Sequence, residues 1–86
     1  VSHKANPEFW KCYLKLPQGI QKLADKNFQL LKENPQHPSL HFKKAGRFRS
    51  VRIGNKYRAL GVESPDGIIW MWIGTHEEYN KLIETK

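Results

Sequence analysis

Apolar and polar positions change period part-way along the chain, helical as far as Asn34 and strand-like after it. Phe9 and Tyr13 stand four apart, flanked by Trp10 and Leu14, which predicts a short helix over Pro7–Leu14 with one apolar face. Asn6-Pro7-Glu8 reads as its start. Asparagine offers a side-chain acceptor at the cap, proline fills the first helical position where no N–H is needed, and an acid sits in the first turn. Pro17 breaks this helix and opens a longer one. In it Ile20, Leu23, Ala24, Phe28, Leu30 and Leu31 fall at helical spacing, with Lys22, Asp25, Lys26, Lys32 and Glu33 largely opposite. Asn34-Pro35 and His37-Pro38 end it, because the residue before a proline is held out of the helical conformation.

Alternation takes over from there. Residues 39–44 read as a half-buried strand, and 48–53 and 57–62 as two more around the turn Gly54-Asn55-Lys56. Pro65-Asp66-Gly67 is a second turn, followed by a strand over 68–73. Gly74 and Thr75 lead into a final helix over 77–84, with Thr75 as its cap and two acids in its first turn. The first five residues can add an edge strand. The expected fold is α+β, one domain over residues 1–86: an N-terminal helical hairpin packed on one face of a small antiparallel sheet, then a short C-terminal helix.

Period-two sorting places Val51, Ile53, Leu60, Val62, Ile69, Met71 and Ile73 on the helix-covered face. Phe48, Ser50, Arg52, Trp70 and Trp72 then point the other way, with His76 beyond them. Arg58 shares the parity of Leu60, and its guanidinium is long enough to bend to the rim. Rings beside guanidinium planes suit the bases of single-stranded RNA. The same tryptophans could instead lie under a tail or a partner chain.

Composition narrows the chemistry. A formal net charge of +7 on 86 residues implies a polyanion or an acidic protein as partner. One cysteine, Cys12, excludes an internal disulfide, and four widely spaced histidines without a CxxC pair make a zinc site unexpected, so no metal and no cofactor is expected. No apolar run reaches membrane-spanning length and the opening VSHKAN has no signal-peptide core, so no membrane contact is expected and the cytoplasm is the expected location.

Cleaving RNA without a metal takes a base for the 2′-hydroxyl proton, cations for the charge on phosphorus, and an acid for the leaving 5′ oxygen. Histidine can give or take a proton near neutral pH. His76 is the leading candidate, three residues before Tyr79 and beyond Trp72. His3 lies near one end, His37 in a proline-bounded loop, and His41 on a strand that could face either way. Arg52 and Arg58 are the candidate phosphate clamp, by forked hydrogen bonds. Lys43 and Lys44 grip neighbouring phosphates or are solvated strand-edge charges. Tyr79 orients the phosphate, stacks a base, or anchors the last helix. Arg47 and Arg49 suit general attraction to RNA or the ribosome, and Trp72 suits base stacking.

The stretches LPQGIQKLADKNFQLLKENPQHPSLHFKK, SVRIGNKYRAL and WIGTHEEYNKL, in this order, resemble the RelE/ParE toxin superfamily of bacterial type II toxin–antitoxin modules. Thr75-His76-Glu77-Glu78-Tyr79 is most similar to the ending of HigB-like members, although Asn80 stands where an aspartate is usual. The resemblance implies a compact antiparallel sheet on a helical hairpin, ribosome-dependent cleavage of mRNA, rRNA contacts, and neutralisation by a cognate antitoxin. It matches His76 to the catalytic histidine, Tyr79 to the tyrosine behind it, and Arg58 to the arginine of a Tyr-Arg pair. Arg52 and Lys43 match basic strand positions. The superfamily also holds ParE-like members that poison DNA gyrase without cutting RNA, and a free nucleic-acid-binding module is a third reading.

Overall fold

The computed structural model describes residues 2–34, 36–45 and 48–84. Helix α1 (Pro7–Leu14) starts as its sequence dictates: Asn6 Oδ1 accepts from the Phe9 N–H at 3.0 Å, with proline in the first turn. Helix α2 (Gln18–Glu33) follows after Pro17 and buries Ala24, Asn27 and Leu31. The strands are β1 (Ser2–Ala5), β2 (Lys43–Ala45), β3 (Phe48–Ile53), β4 (Tyr57–Ser64) and β5 (Gly67–Thr75), and helix α3 (His76–Glu84) closes the chain. Among the described residues the sheet order is β1-β5-β4-β3-β2. Pairing is antiparallel from β2 to β5, but β1 joins β5 in parallel, so the sheet is mixed rather than wholly antiparallel.

The strand expected over residues 39–44 is mostly something else. Pro38–Leu40 is a 3-10 turn in which His37 Nδ1 accepts from the Ser39 N–H, and Leu40 plugs the core. His41 then adopts a left-handed conformation, φ 45°. Only Lys43–Ala45 pairs with β3. Local side-chain bonding and the fixed φ of Pro38 favour the turn over a ladder here.

The face assignment also needs correction. On β5, Trp72 pairs with Leu60 and Trp70 with Gly61, leaving Met71 as an extra residue in a bulge. One inserted residue shifts the alternation by one and moves side chains to the opposite face. Trp70 therefore joins the helix-side core with Val51, Ile53, Ala59 and Ile73, and is 1 % exposed. Its indole lies over Gly61, where a Cβ would stand 2.9 Å from Trp70 Cε3. Leu60 stands opposite Ser50 and Trp72 and belongs to the other face, as do Val62, Ile69 and Met71. That second face is partly covered: α3 packs against β4 and β5 and buries Tyr79 there, while Phe48, Leu60, Met71 and Trp72 line an apolar groove on it. The domain is thus three layers, with the hairpin on one side of the sheet and α3 on the other. Among the described residues no helix is long and apolar enough to cross a membrane.

Candidate active site

The turn between β3 and β4 builds one wall of a cleft. Gly54 takes φ 64°, which glycine tolerates and L side chains rarely do, and the chain reverses so that Arg58 lies directly opposite Arg52. Arg52 is fixed from three sides. Its Nε donates to the Gly54 carbonyl at 2.9 Å, its Nη2 to Asn55 Oδ1 at 3.3 Å, and its Nη1 lies 3.3 Å from His41 Nε2.

Helix α3 supplies the other wall. Thr75 and Glu78 form a reciprocal capping box: the Glu78 N–H donates to Thr75 Oγ1 at 3.2 Å, and Glu78 Oε1 accepts from the Thr75 N–H at 3.2 Å. The His76 N–H donates to the Lys56 carbonyl at 2.7 Å and pins the helix start to the arginine turn. The imidazole of His76 stacks on Tyr79, ring centres 6.1 Å apart, and Tyr79 in turn lies 5.1 Å from the Arg58 guanidinium.

These pieces enclose a cleft of about 230 Å³ lined by His41, Lys43, Arg52, Asn55, Tyr57, Arg58 and His76. No carboxylate lines it among the described residues. Arg58 is the most confined of its cations, 5 % exposed. Its Nη2 donates to Ser50 Oγ at 3.1 Å and to the His41 carbonyl at 3.3 Å, while its Nε has no partner among the described residues. Burial pushes the Arg58 guanidinium below its ordinary pKa and nearby Arg52 adds to this, while Tyr79 pulls the other way. Arginine nevertheless stays protonated in proteins. A buried cation in a cleft lined by no acid suits an oxyanion as its counter-charge.

The residues singled out in the sequence divide into three groups. His76, Arg52, Arg58 and Lys43 line the cleft, and Tyr79 supports it from beneath. Arg49 and Lys44 are not brought there. They pair with each other across β3 and β2, one residue out of step with Lys43 and Ser50, and so lie on the helix-side face. Arg49 is ion-paired to Glu63 and sits 5.8 Å from the Phe42 ring. The Glu63 carboxyl is held below its usual range, first by the Arg49 hydrogen bond and further by the charges of Arg49 and Lys44. Trp72 lies outside the cleft lining, and Arg47 falls outside the described residues. His41, assigned to a strand of either facing, proves to be a cleft residue, joined by Asn55 and Tyr57. The readable signal for His41 was the His37-Pro38-Ser39 turn start just before it, which argues against a strand at that point.

A family model described as a ParE-like toxin domain matches residues 18–81 of the chain. Among solved structures, the RelB-RelE antitoxin-toxin complex from Methanococcus jannaschii superposes with a TM-score of 0.71 at 18% identity, covering 92% of this chain and 96% of that one. A copper-bound mutant toxin from Helicobacter pylori gives 0.64 at 17% identity, covering 91% and 97%. The isolated Escherichia coli RelE toxin gives 0.63 at 12% identity, covering 96% and 95%. At such identities these likenesses establish a shared fold. No curated protein matches the chain in sequence.

Proposed function

The chain belongs to the family of ParE-like toxin domains, and from that premise we propose that it is the toxin of a type II toxin–antitoxin pair, an endoribonuclease that cuts mRNA on the ribosome without a metal and arrests translation. The observation that carries this reading is the convergence of His76 and His41 with Arg52, Arg58 and Lys43 on one small cleft.

The chemistry follows from the groups. One imidazole takes the proton of a 2′-hydroxyl, whose oxygen attacks the adjacent phosphorus. The bond from phosphorus to the 5′ oxygen breaks, and the second imidazole, protonated, gives that oxygen its proton. The products are a 2′,3′-cyclic phosphate and a 5′-hydroxyl. Arg52 and Arg58 hold the non-bridging oxygens, where charge builds up in the transition state. The preset bonds of Arg52 to Gly54 and Asn55 mean that little reorganisation is needed when the phosphate arrives. Lys43 holds a neighbouring phosphate. Tyr79 is a positioning residue, carrying the His76 ring on one contact and the Arg58 guanidinium on another.

A net charge of +7 supports attraction to mRNA and rRNA, and an acidic antitoxin as the neutralising partner. The antitoxin reading draws also on the likeness to a toxin seen in complex with its antitoxin. The test is induction of wild type, His76→Ala and Arg52→Ala, followed by growth curves and mapping of transcript ends. Wild type should arrest growth and leave truncated messages; both variants should do neither. The ParE-like description of the family match favours one rival, a toxin that inhibits DNA gyrase. Broken DNA with intact messages after induction would establish that rival instead.

A further inference from the structure

A second cavity, of about 300 Å³, adjoins the cleft, with Tyr57 contributing to both. Its walls include Trp72, Gly74, Glu78, Lys15 and Leu16. Tyr57 is the strand partner of Thr75, the residue before His76. Gly74 makes its floor possible. A Cβ there would stand 2.5 Å from Trp72 Cζ2 and 2.9 Å from Glu78 Oε1, so a bare backbone is what lets the indole and the carboxylate meet against the strand. Glu78 spends Oε1 on the Thr75 N–H and hydroxyl, and Oε2 has no hydrogen-bond partner among the described residues.

We propose that this cavity takes the nucleobase adjoining the scissile phosphate and selects one that carries an exocyclic amino group. The inference rests on the nuclease reading above and adds its specificity. Aromatic walls give any base a stacking surface. The carboxylate then discriminates: adenine, guanine and cytosine present amino hydrogens that Glu78 Oε2 accepts, whereas the single ring N–H of uracil is flanked by two carbonyl oxygens that a carboxylate repels. The spacing suits a nucleotide, whose base and phosphate belong to one residue of the strand. Alongside Cys12, Leu16, Pro17 and Ile73, the lining offers two rings, one carboxylate and one lysine, which suit the faces and polar edges of a heteroaromatic base.

Glu78→Gln tests this cleanly, because the amide oxygen can still cap Thr75 and keep His76 in place, while an N–H₂ replaces Oε2. Transcript ends are mapped for both proteins, and thermal melting confirms that the variant keeps the wild-type fold. Wild type should show enrichment of amino-bearing bases at one position flanking the cut. In Glu78→Gln that enrichment should fall about tenfold, the effect of one charge-assisted hydrogen bond, with more cuts beside uracil. Gly74→Ala, whose methyl displaces the indole, should erase the same preference and serves if the first variant does not fold. An unchanged preference in a variant that still cuts, or no flanking preference in wild type, overturns the base site while leaving the nuclease standing. A wild type that cuts no RNA overturns both. Unchanged preference together with weakened antitoxin capture would reassign the cavity to a protein partner.

Discussion

Arg58 should destabilise the fold that carries it. The side chain is 5 % exposed and has no acidic partner among the described residues, so a full positive charge is held out of water by two hydrogen bonds to neutral oxygens and the face of Tyr79. The ring contact returns about 0.5–2 kcal/mol. Against this stands an effective desolvation penalty of several kcal/mol per buried ion, and the like charge of Arg52 adds to it. Replacing buried ions by apolar groups of similar volume is neutral or stabilising by about 1–4 kcal/mol. Arg58→Met alone would strand the hydroxyl of Ser50, which is fully buried, at a cost of about 1–3 kcal/mol. Arg58→Met with Ser50→Ala removes both groups and should gain about 1–3 kcal/mol. In a domain of this size each kcal/mol raises the melting temperature by about 4–8 °C. Urea and thermal unfolding of the double variant measure this, alongside RNA cleavage, which should be lost. Phosphate should stabilise wild type more than the double variant, because only the native cleft carries the Arg58 charge. A double variant less stable than wild type by 1 kcal/mol or more would refute the reasoning, since the guanidinium would then be a net support of the fold.

Three further expectations follow from named contacts. His76→Ala and His41→Ala should each slow cleavage by about 10²–10⁴-fold, the usual yield of a proton-transfer group, with melting temperatures close to wild type; wild-type rates in His41→Ala would remove the second imidazole from the mechanism. Thr75→Val deletes the oxygen that caps α3 and should cost about 1 kcal/mol, read as a lower melting temperature, whereas unchanged melting would show that the cap carries no weight. His3 Nδ1 accepts from the buried Trp70 indole at 3.2 Å, and burial first, then Lys32, lowers its pKa below 6.5. Between that lowered value and 6.5 the unfolded chain takes up a proton that the folded chain refuses, so stability is complete above 6.5 and declines as pH falls. Amide exchange of β1 should accelerate in step with that decline, and a flat profile from pH 8 to 5 would contradict it.

The helices were legible because their signals are local. Asn6-Pro7 and the Thr75–Glu78 box act within one turn, and the apolar period of α2 needs no knowledge of its partners. What escaped was set by pairing. A single extra residue at Met71 reverses the facing of Trp70 relative to Trp72, and nothing in the sequence marks where a bulge falls. The same dependence on register separates Lys43, in the cleft, from Lys44, behind it, and sends Arg49 to Glu63. His41 was missed because a strand reading has no place for its left-handed backbone, although the His37-Pro38-Ser39 turn start pointed away from a strand. Arg52 and Arg58 were accessible to reasoning because a tight turn must bring two flanking strand residues face to face, and His76 because a cap and a strand end fix where a helix begins.

The claim at the centre is that two imidazoles and two guanidinium groups act on one phosphate whose own ribose supplies the nucleophile. A ribosome-bound message with a single 2′-deoxy nucleotide at the cut position tests it directly. The ribose form should be cut to a 2′,3′-cyclic phosphate and a 5′-hydroxyl, and the deoxy form should survive intact. Cleavage of the deoxy message, or ends bearing a 3′-hydroxyl and a 5′-phosphate, would contradict the account.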